Sequence, residues 1–120
     1  MGGISDYQEE AWLNALLNGA ADQWVSLHTA DPGETGASEV TGGSYVRKQV
    51  PMDPWVTGVV DNTGAITWIG MPATTITYVG IWDAETTGHF LIGGLLTVPK
   101  TLNAGDTFQI NAGDLDVTLD

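Results

Sequence analysis

Trp24-Val25-Ser26-Leu27-His28-Thr29 is the stretch whose reading decides the fold, because its period is two. Val25, Leu27 and Thr29 alternate with Trp24, Ser26 and His28, the pattern of a strand with one buried face. The same character recurs down the chain. Thr75 to Trp82 (TITYVGIW) is apolar or β-prone on both faces, which predicts a central strand covered on both sides. Gly80 within it predicts a bulge or a close backbone approach. Phe90 to Val98 (FLIGGLLTV) predicts another apolar strand, and Tyr45–Val50, Trp55–Val60 and Ala65–Ile69 predict shorter ones.

Turn chemistry separates these runs. Asp31-Pro32-Gly33 predicts a turn, with proline presetting φ and glycine taking a conformation other residues avoid. Glu34 to Ser44 (ETGASEVTGGS) is small, polar and Gly-rich, and reads as a long surface loop. Near the end Asn103-Ala104-Gly105-Asp106 recurs as Asn111-Ala112-Gly113-Asp114. This echo predicts two turns around one strand, with Asn and Gly supplying left-handed backbone.

Before the strands, one segment has helical spacing. Ser5 followed by Gln8 forms a capping box, and Asp6, Glu9 and Glu10 lie where a helix N-terminus favours negative charge. Ala11, Trp12, Ala15 and Leu16 form its apolar face, and Gly19 is its stop. The predicted fold is mainly β: a single-domain antiparallel β-sandwich or jelly-roll-like barrel over residues 1–120. One N-terminal α-helix (residues 5–18) precedes about seven or eight strands (residues 24–120).

Composition narrows the function. The 120 residues are 42% hydrophobic, enough for a core, and carry 15 acids against 3 bases for a formal net charge of −12. Arg47, Lys48 and Lys100 are the only bases, too few to neutralise a phosphate backbone or an anionic membrane surface. No nucleic-acid or membrane partner is expected. The absence of cysteine excludes disulfides and thiolate chemistry. The start of the chain has no signal-peptide pattern and no run approaches a membrane span, so a soluble chain made in a cytoplasm is expected.

No constellation of residues points to catalysis. The acids fall mostly in turns (Asp31, Asp61, Asp83, Asp106, Asp114), where carboxylates bond to local backbone. His28 and His89 lack the companions of a zinc site or a nucleophile elbow, and read as structural or solvent-facing. Asp114, Asp116 and Asp120 share one face of the last predicted strand; a solvated face outweighs a weak Ca²⁺ site. No phosphate-binding glycine loop is present. Five tryptophans are unusual for this length. Trp12, Trp68 and Trp82 read as core, whereas Trp24 and Trp55 are open to an interface or a sugar platform. No catalytic residue, cofactor or metal is therefore expected.

The run Val25-Ser26-Leu27-His28-Thr29-Ala30-Asp31-Pro32-Gly33-Glu34-Thr35-Gly36-Ala37, continuing through Glu39-Val40-Thr41-Gly42-Gly43-Ser44-Tyr45-Val46-Arg47, resembles a family of small tailed-phage virion proteins. The segment from Ile76 to Leu95, with Gly80-Ile81-Trp82-Asp83-Ala84, and the ending from Asn103 to Leu119 extend the similarity over nearly the whole chain. Val46 stands where that family usually has alanine. Members carry the labels tail fibre, minor tail or minor capsid protein, so the resemblance implies a virion structural part without an active site.

The expectation placed first is a non-enzymatic decoration or minor capsid protein on the outer shell, its negative charge facing away from packaged DNA. Its partners would be the major capsid protein or other virion proteins, and its own copies in a homo-oligomer, a trimer being favoured. The alternative is a tail-fibre or minor tail protein that touches the host surface, including glycan. Under the first reading the Glu34–Ser44 loop and the N-terminal helix are the contact elements, and the expected subunit contacts are Trp12, Leu16, Glu34, Glu39, Tyr45, Arg47 and Lys48, with Arg47 and Lys48 pairing to acids of an adjacent subunit.

Overall fold

A computed structural model describes residues 5, 7–8, 11, 23–49, 60–62, 64–113 and 115–117. Eight strands are found among them: β1 (Trp24–His28), β2 (Lys48–Gln49), β3 (Val60–Asp61), β4 (Ile66–Trp68), β5 (Thr74–Trp82), β6 (Phe90–Leu102), β7 (Phe108–Ile110) and β8 (Asp116–Val117). The protein is mainly β. The N-terminal helix expected over residues 5–18 falls almost entirely outside the described residues. Of its capping box, the Gln8 backbone N–H donates to Ser5 Oγ at 3.3 Å.

The chain divides into two compact units, one of Met1–Ala21, Val50–Ile66 and Ile110–Asp120, the other of Asp22–Gln49 and Thr67–Gln109. The second is built on a four-stranded sheet in the order β2-β1-β5-β6. β1 and β5 pair antiparallel from Trp24↔Trp82 to His28↔Tyr78. β5 is thus a central strand, as its two-sided apolar character predicts, and Ile76, Val79, Ile81 and Trp82 are buried along it.

β1 departs from its expected pattern. Alternation predicts one buried face, yet Val25 and Leu27 on one side and Ser26 and His28 on the other are all essentially inaccessible. A polar face can be buried when its groups find hydrogen-bond partners, and Ser26 and His28 bond to one another.

β6 also runs further than predicted, through Pro99 to Leu102. Its pairing with β5 passes from Tyr78↔Leu95 to Ile76↔Lys100, leaving residues 96–99 opposite Thr77 alone. Such a bulge on the last strand of a sheet accommodates a proline, whose missing N–H would break an interior ladder. Of the predicted strand Tyr45–Val50, Lys48–Gln49 alone pairs with β1 among the described residues. The predicted strand Trp55–Val60 lies outside the described residues except at β3.

A two-stranded sheet joins β4 and β7, with Trp68 and Phe108 packed at a centroid distance of 5.8 Å. The turn before β7 is the first NAGD copy. Asp106 N–H donates to the Asn103 carbonyl, and Asn103 N–H donates to Asp106 Oδ2 at 2.8 Å. Gly105 takes the left-handed conformation at φ +90°, as Gly113 does at +82° in the second copy. Asn103 and Asn111 do not, so the left-handed role predicted for both residue types falls to glycine alone.

In the first unit β3 pairs with β8, Val60 opposite Val117 and Asp61 opposite Asp116. Asn62, buried beside them, uses its whole side chain. Its Nδ2 donates to the carbonyls of Gly64 and Asn111, and its Oδ1 accepts from the N–H groups of Gly113 and Leu115. The second NAGD turn is fastened to the β3 end through that side chain and through the Gly113 N–H, which also donates to the Asn62 backbone carbonyl at 3.0 Å.

Candidate functional site

The segment from Thr29 to Ser44 leaves the end of β1 and returns along it. Thr29 N–H donates to the Ser38 carbonyl at 3.0 Å and Val40 N–H to the Leu27 carbonyl at 2.9 Å, so Glu39 bridges back to His28. Inside the loop Asp31 Oδ1 accepts from Gly33 N–H at 2.8 Å, an Asx turn. The Pro32 carbonyl accepts from both Gly36 and Ala37 N–H. The stretch that composition presents as a surface loop is a closed, internally bonded structure. Glu34, Thr35, Ser38, Thr41 and Ser44 face solvent along it.

Beneath the loop lies a chain of buried polar groups. A backbone carbonyl can only accept, so His28 Nδ1, at 2.8 Å from the Ala37 carbonyl, carries the proton. With the imidazole neutral, Nε2 accepts from the Ser26 hydroxyl at 2.6 Å. Ser26 Oγ in turn accepts from the Trp82 indole N–H at 2.9 Å. Direction is fixed at every step, from Trp82 to Ser26 to His28 to the loop backbone. Burial holds the His28 imidazole below its ordinary pKa, against the Ala37 carbonyl, which favours the proton. Gly80 makes room for the assembly: a Cβ there would lie 2.6 Å from Ser26 Oγ and 2.8 Å from His28 Nε2. The close approach predicted from this glycine is present.

A second group of residues ties the loop's far end. Glu39 accepts two parallel bonds from Arg47, Nε to Oε2 and Nη2 to Oε1, each 2.9 Å. Tyr45 donates its hydroxyl to Glu39 Oε2 at 2.7 Å and accepts the Leu27 N–H at 3.0 Å. Arg47 Nη1 reaches the carbonyls of Ala84 and Thr87, and its guanidinium lies 3.5 Å over the Trp82 ring. Although partial burial opposes ionisation of Glu39, the Arg47 and Tyr45 bonds prevail and hold its carboxyl below the usual range. Burial and the neighbouring carboxylate push the Tyr45 phenol far up. Trp82 is the hub: its indole N–H serves the His28 chain, its face takes Arg47, and Phe90 packs edge-on at 5.4 Å.

The structure brings Glu39, Tyr45 and Arg47 together and leaves Glu34 exposed on the loop. Lys48 is half-buried in β2. Trp12 and Leu16 lie outside the described residues. Arg47, expected to reach an adjacent subunit, has its acid partner within its own chain, Glu39. Trp68 and Trp82 are core, as read from sequence, and Trp24 is half-buried. Trp55 and the side chains of the Asp114, Asp116 and Asp120 trio lie outside the described residues. No group of three or more His, Asp or Glu side chains suited to a metal ion occurs among the described residues. Ser26 and His28 are fully buried and mutually bonded, so this hydroxyl–imidazole pair presents nothing to a substrate. Sequence reasoning missed Trp82 as the hub. The available signal was the scarcity of bases, since one of only three bases in so acidic a chain is suited to an internal acid partner.

The bonded residues from Ser26 to Phe90 lie within positions 3–118, the stretch over which the chain matches the family described as "Podophage GP4 fiber I protein gp80". The chain belongs to this family. It is accordingly a bacteriophage virion structural protein of a fibre family, in agreement with the resemblance to tailed-phage virion proteins. No curated protein matches the chain. The membership favours the fibre alternative over the decoration role that sequence reasoning placed first. No described helix of this family member is long and apolar enough to cross a membrane.

Proposed function

We propose that the chain is a non-enzymatic fibre component of a podophage particle, and that it works through surface contacts made by the Thr29–Ser44 loop. The match to a fibre family over residues 3–118 carries this reading. The loop supports it: small polar side chains stand exposed on a backbone fixed from below, so little ordering entropy opposes a contact. The partner is another virion protein or the host surface, glycan included, and not nucleic acid or membrane. Self-association as a homo-oligomer, a trimer first, belongs to the same proposal. So does the finer architecture, one antiparallel sandwich or jelly-roll-like barrel with a helix over residues 5–18. The two-sided burial of β1 and the Ser5 cap contact support it.

Adsorption of the phage to its host in the presence of excess purified chain tests the host-contact part. Competition that is lost when Glu34, Thr35 and Ser38 are replaced together by alanine is the expected result. Undiminished adsorption at saturating chain would contradict it. Light scattering of the purified chain reports the trimer, and a monomer at high concentration would count against it.

A further inference from the structure

His28 couples the Thr29–Ser38 loop to the sheet through a single proton arrangement, and that arrangement works only with a neutral ring. Nδ1–H is spent on the Ala37 carbonyl and Nε2 on the Ser26 hydroxyl. A second proton, placed on Nε2, turns an acceptor into a donor. The Ser26 O–H then loses its acceptor in a site with no accessible surface, and the cation itself is cut off from water.

The surroundings give that cation little relief. Opposite His28 in register on β5 stands Tyr78. Gly80 and Trp82 continue that face, and from β6 the Phe90 ring meets the imidazole edge-on at 6.1 Å. None of these carries charge. The nearest ionised groups are Glu39, which favours protonation, and Arg47, which opposes it. Glu39 is already committed to Arg47 in a bidentate pair and to the Tyr45 hydroxyl. The one structural escape is for the loop to lift. Opening the Thr29–Ser38 and His28–Ala37 bonds admits water to the ring while the β1–β5 ladder stays closed.

We propose that His28 is an acid-operated latch: protonation of its imidazole releases the Thr29–Ser38 loop from the sheet, so mild acid converts a fixed loop into a mobile one. The latch is a property of the chain itself and holds wherever the chain sits on the particle. The direction follows from linkage. A ring whose pKa is depressed in the closed state takes up its proton on opening, so acid favours the open state below the ordinary histidine range of about 6.5. One proton coupled to opening raises the open population by up to about tenfold per pH unit in that window.

Amide hydrogen exchange of the full chain between about pH 7.5 and 5, corrected for the intrinsic rate, tests this. Protection at Thr29, Gly36 and Ala37 is expected to fall by up to about tenfold per unit, while Ile81 in the ladder holds. In His28→Gln, whose amide can donate to Ala37 and accept from Ser26 without titrating, the loop's protection is expected to be independent of pH. His89→Gln is expected to behave as the unaltered chain does. Equal acid loss of protection in His28→Gln, or none in the unaltered chain, would overturn the latch. Should His28→Gln not fold, the imidazole resonance of the unaltered chain decides. Titration of His28 with the same midpoint as the loop amides supports the proposal, and titration without any change at those amides refutes it.

Discussion

Arg47 and Glu39, eight residues apart, meet through two parallel hydrogen bonds of 2.9 Å, and the guanidinium is at the same time stacked 3.5 Å over the Trp82 ring. A planar fork with five donors is the only side chain that can serve a carboxylate, two loop carbonyls and an indole face together. The loop that leaves β1 and the loop from Asp83 to His89 are fastened by this one residue.

Arg47→Ala should therefore cost about 3–5 kcal/mol, because it leaves Glu39 partly buried without its cation. Arg47→Lys should lose less, retaining the charge but not the fork or the stack. Urea unfolding of the three chains checks both. If Arg47→Ala unfolded within about 0.5 kcal/mol of the unaltered chain, the scale of a surface pair, the pair would not be the fastening described.

Two glycine substitutions separate crowding from backbone strain. Gly80→Ala places a methyl 2.6 Å from Ser26 Oγ and 2.7 Å from the Phe90 ring, and overpacking should cost about 1–3 kcal/mol. Gly33→Ala meets open space at φ +60° and bears only the left-handed penalty of about 1–2 kcal/mol. Only Gly80→Ala should disturb the His28 and Trp82 side-chain resonances. Equal disturbance by both substitutions would argue against close packing of Gly80 on Ser26 and His28.

Asn62→Ala removes four side-chain hydrogen bonds and leaves the Leu115 N–H without its acceptor, at about 1–3 kcal/mol if it stays buried, while the Gly113 N–H keeps the Asn62 backbone carbonyl. Faster amide exchange at Leu115 should accompany the loss of stability, with a smaller change at Gly113. Unchanged exchange there would show that the second NAGD turn is held by something else.

Acid should destabilise the protein in two steps. The unfolded chain binds a proton at His28 more readily than the folded one, so stability falls as pH drops below about 6.5. Glu39 is depressed below its ordinary 4.5, so its contribution is present above that value and disappears as pH falls through its lower, folded value. Asp83, held down by the His89 N–H and imidazole, acts in the same direction as Glu39. Urea midpoints from pH 8 to 4 measure the sum, and Glu39→Gln should remove much of the lower step. A midpoint that rose on acidification would contradict both assignments. Self-association should also grow near the isoelectric point, about 4.1, as charge repulsion fades.

Where side-chain period and turn chemistry act locally, the fold was legible in the amino-acid order. β1, β4, β5 and β7 fall where alternation, apolar character and the NAGD echo place them. What could not be read was long-range. The extension of β6 past Pro99 depends on its being the last strand of its sheet, and burial of both faces of β1 depends on Ser26, His28 and Trp82 meeting across two strands. The Glu34–Ser44 stretch reads only as a polar surface loop because its fastenings come from outside it, Tyr45 and Arg47 among them. Among the residues that carried the resemblance to phage virion proteins are Ser26, His28, Glu39, Tyr45, Arg47 and Trp82, which form these two bonded groups. Their meaning was structural before it was functional.

Gold-labelled antibody against the chain, imaged on intact phage particles by electron microscopy, bears most directly on the fibre assignment. Label on the tail fibres is the predicted result. Label spread over the faces of the capsid, with the fibres bare, would contradict it.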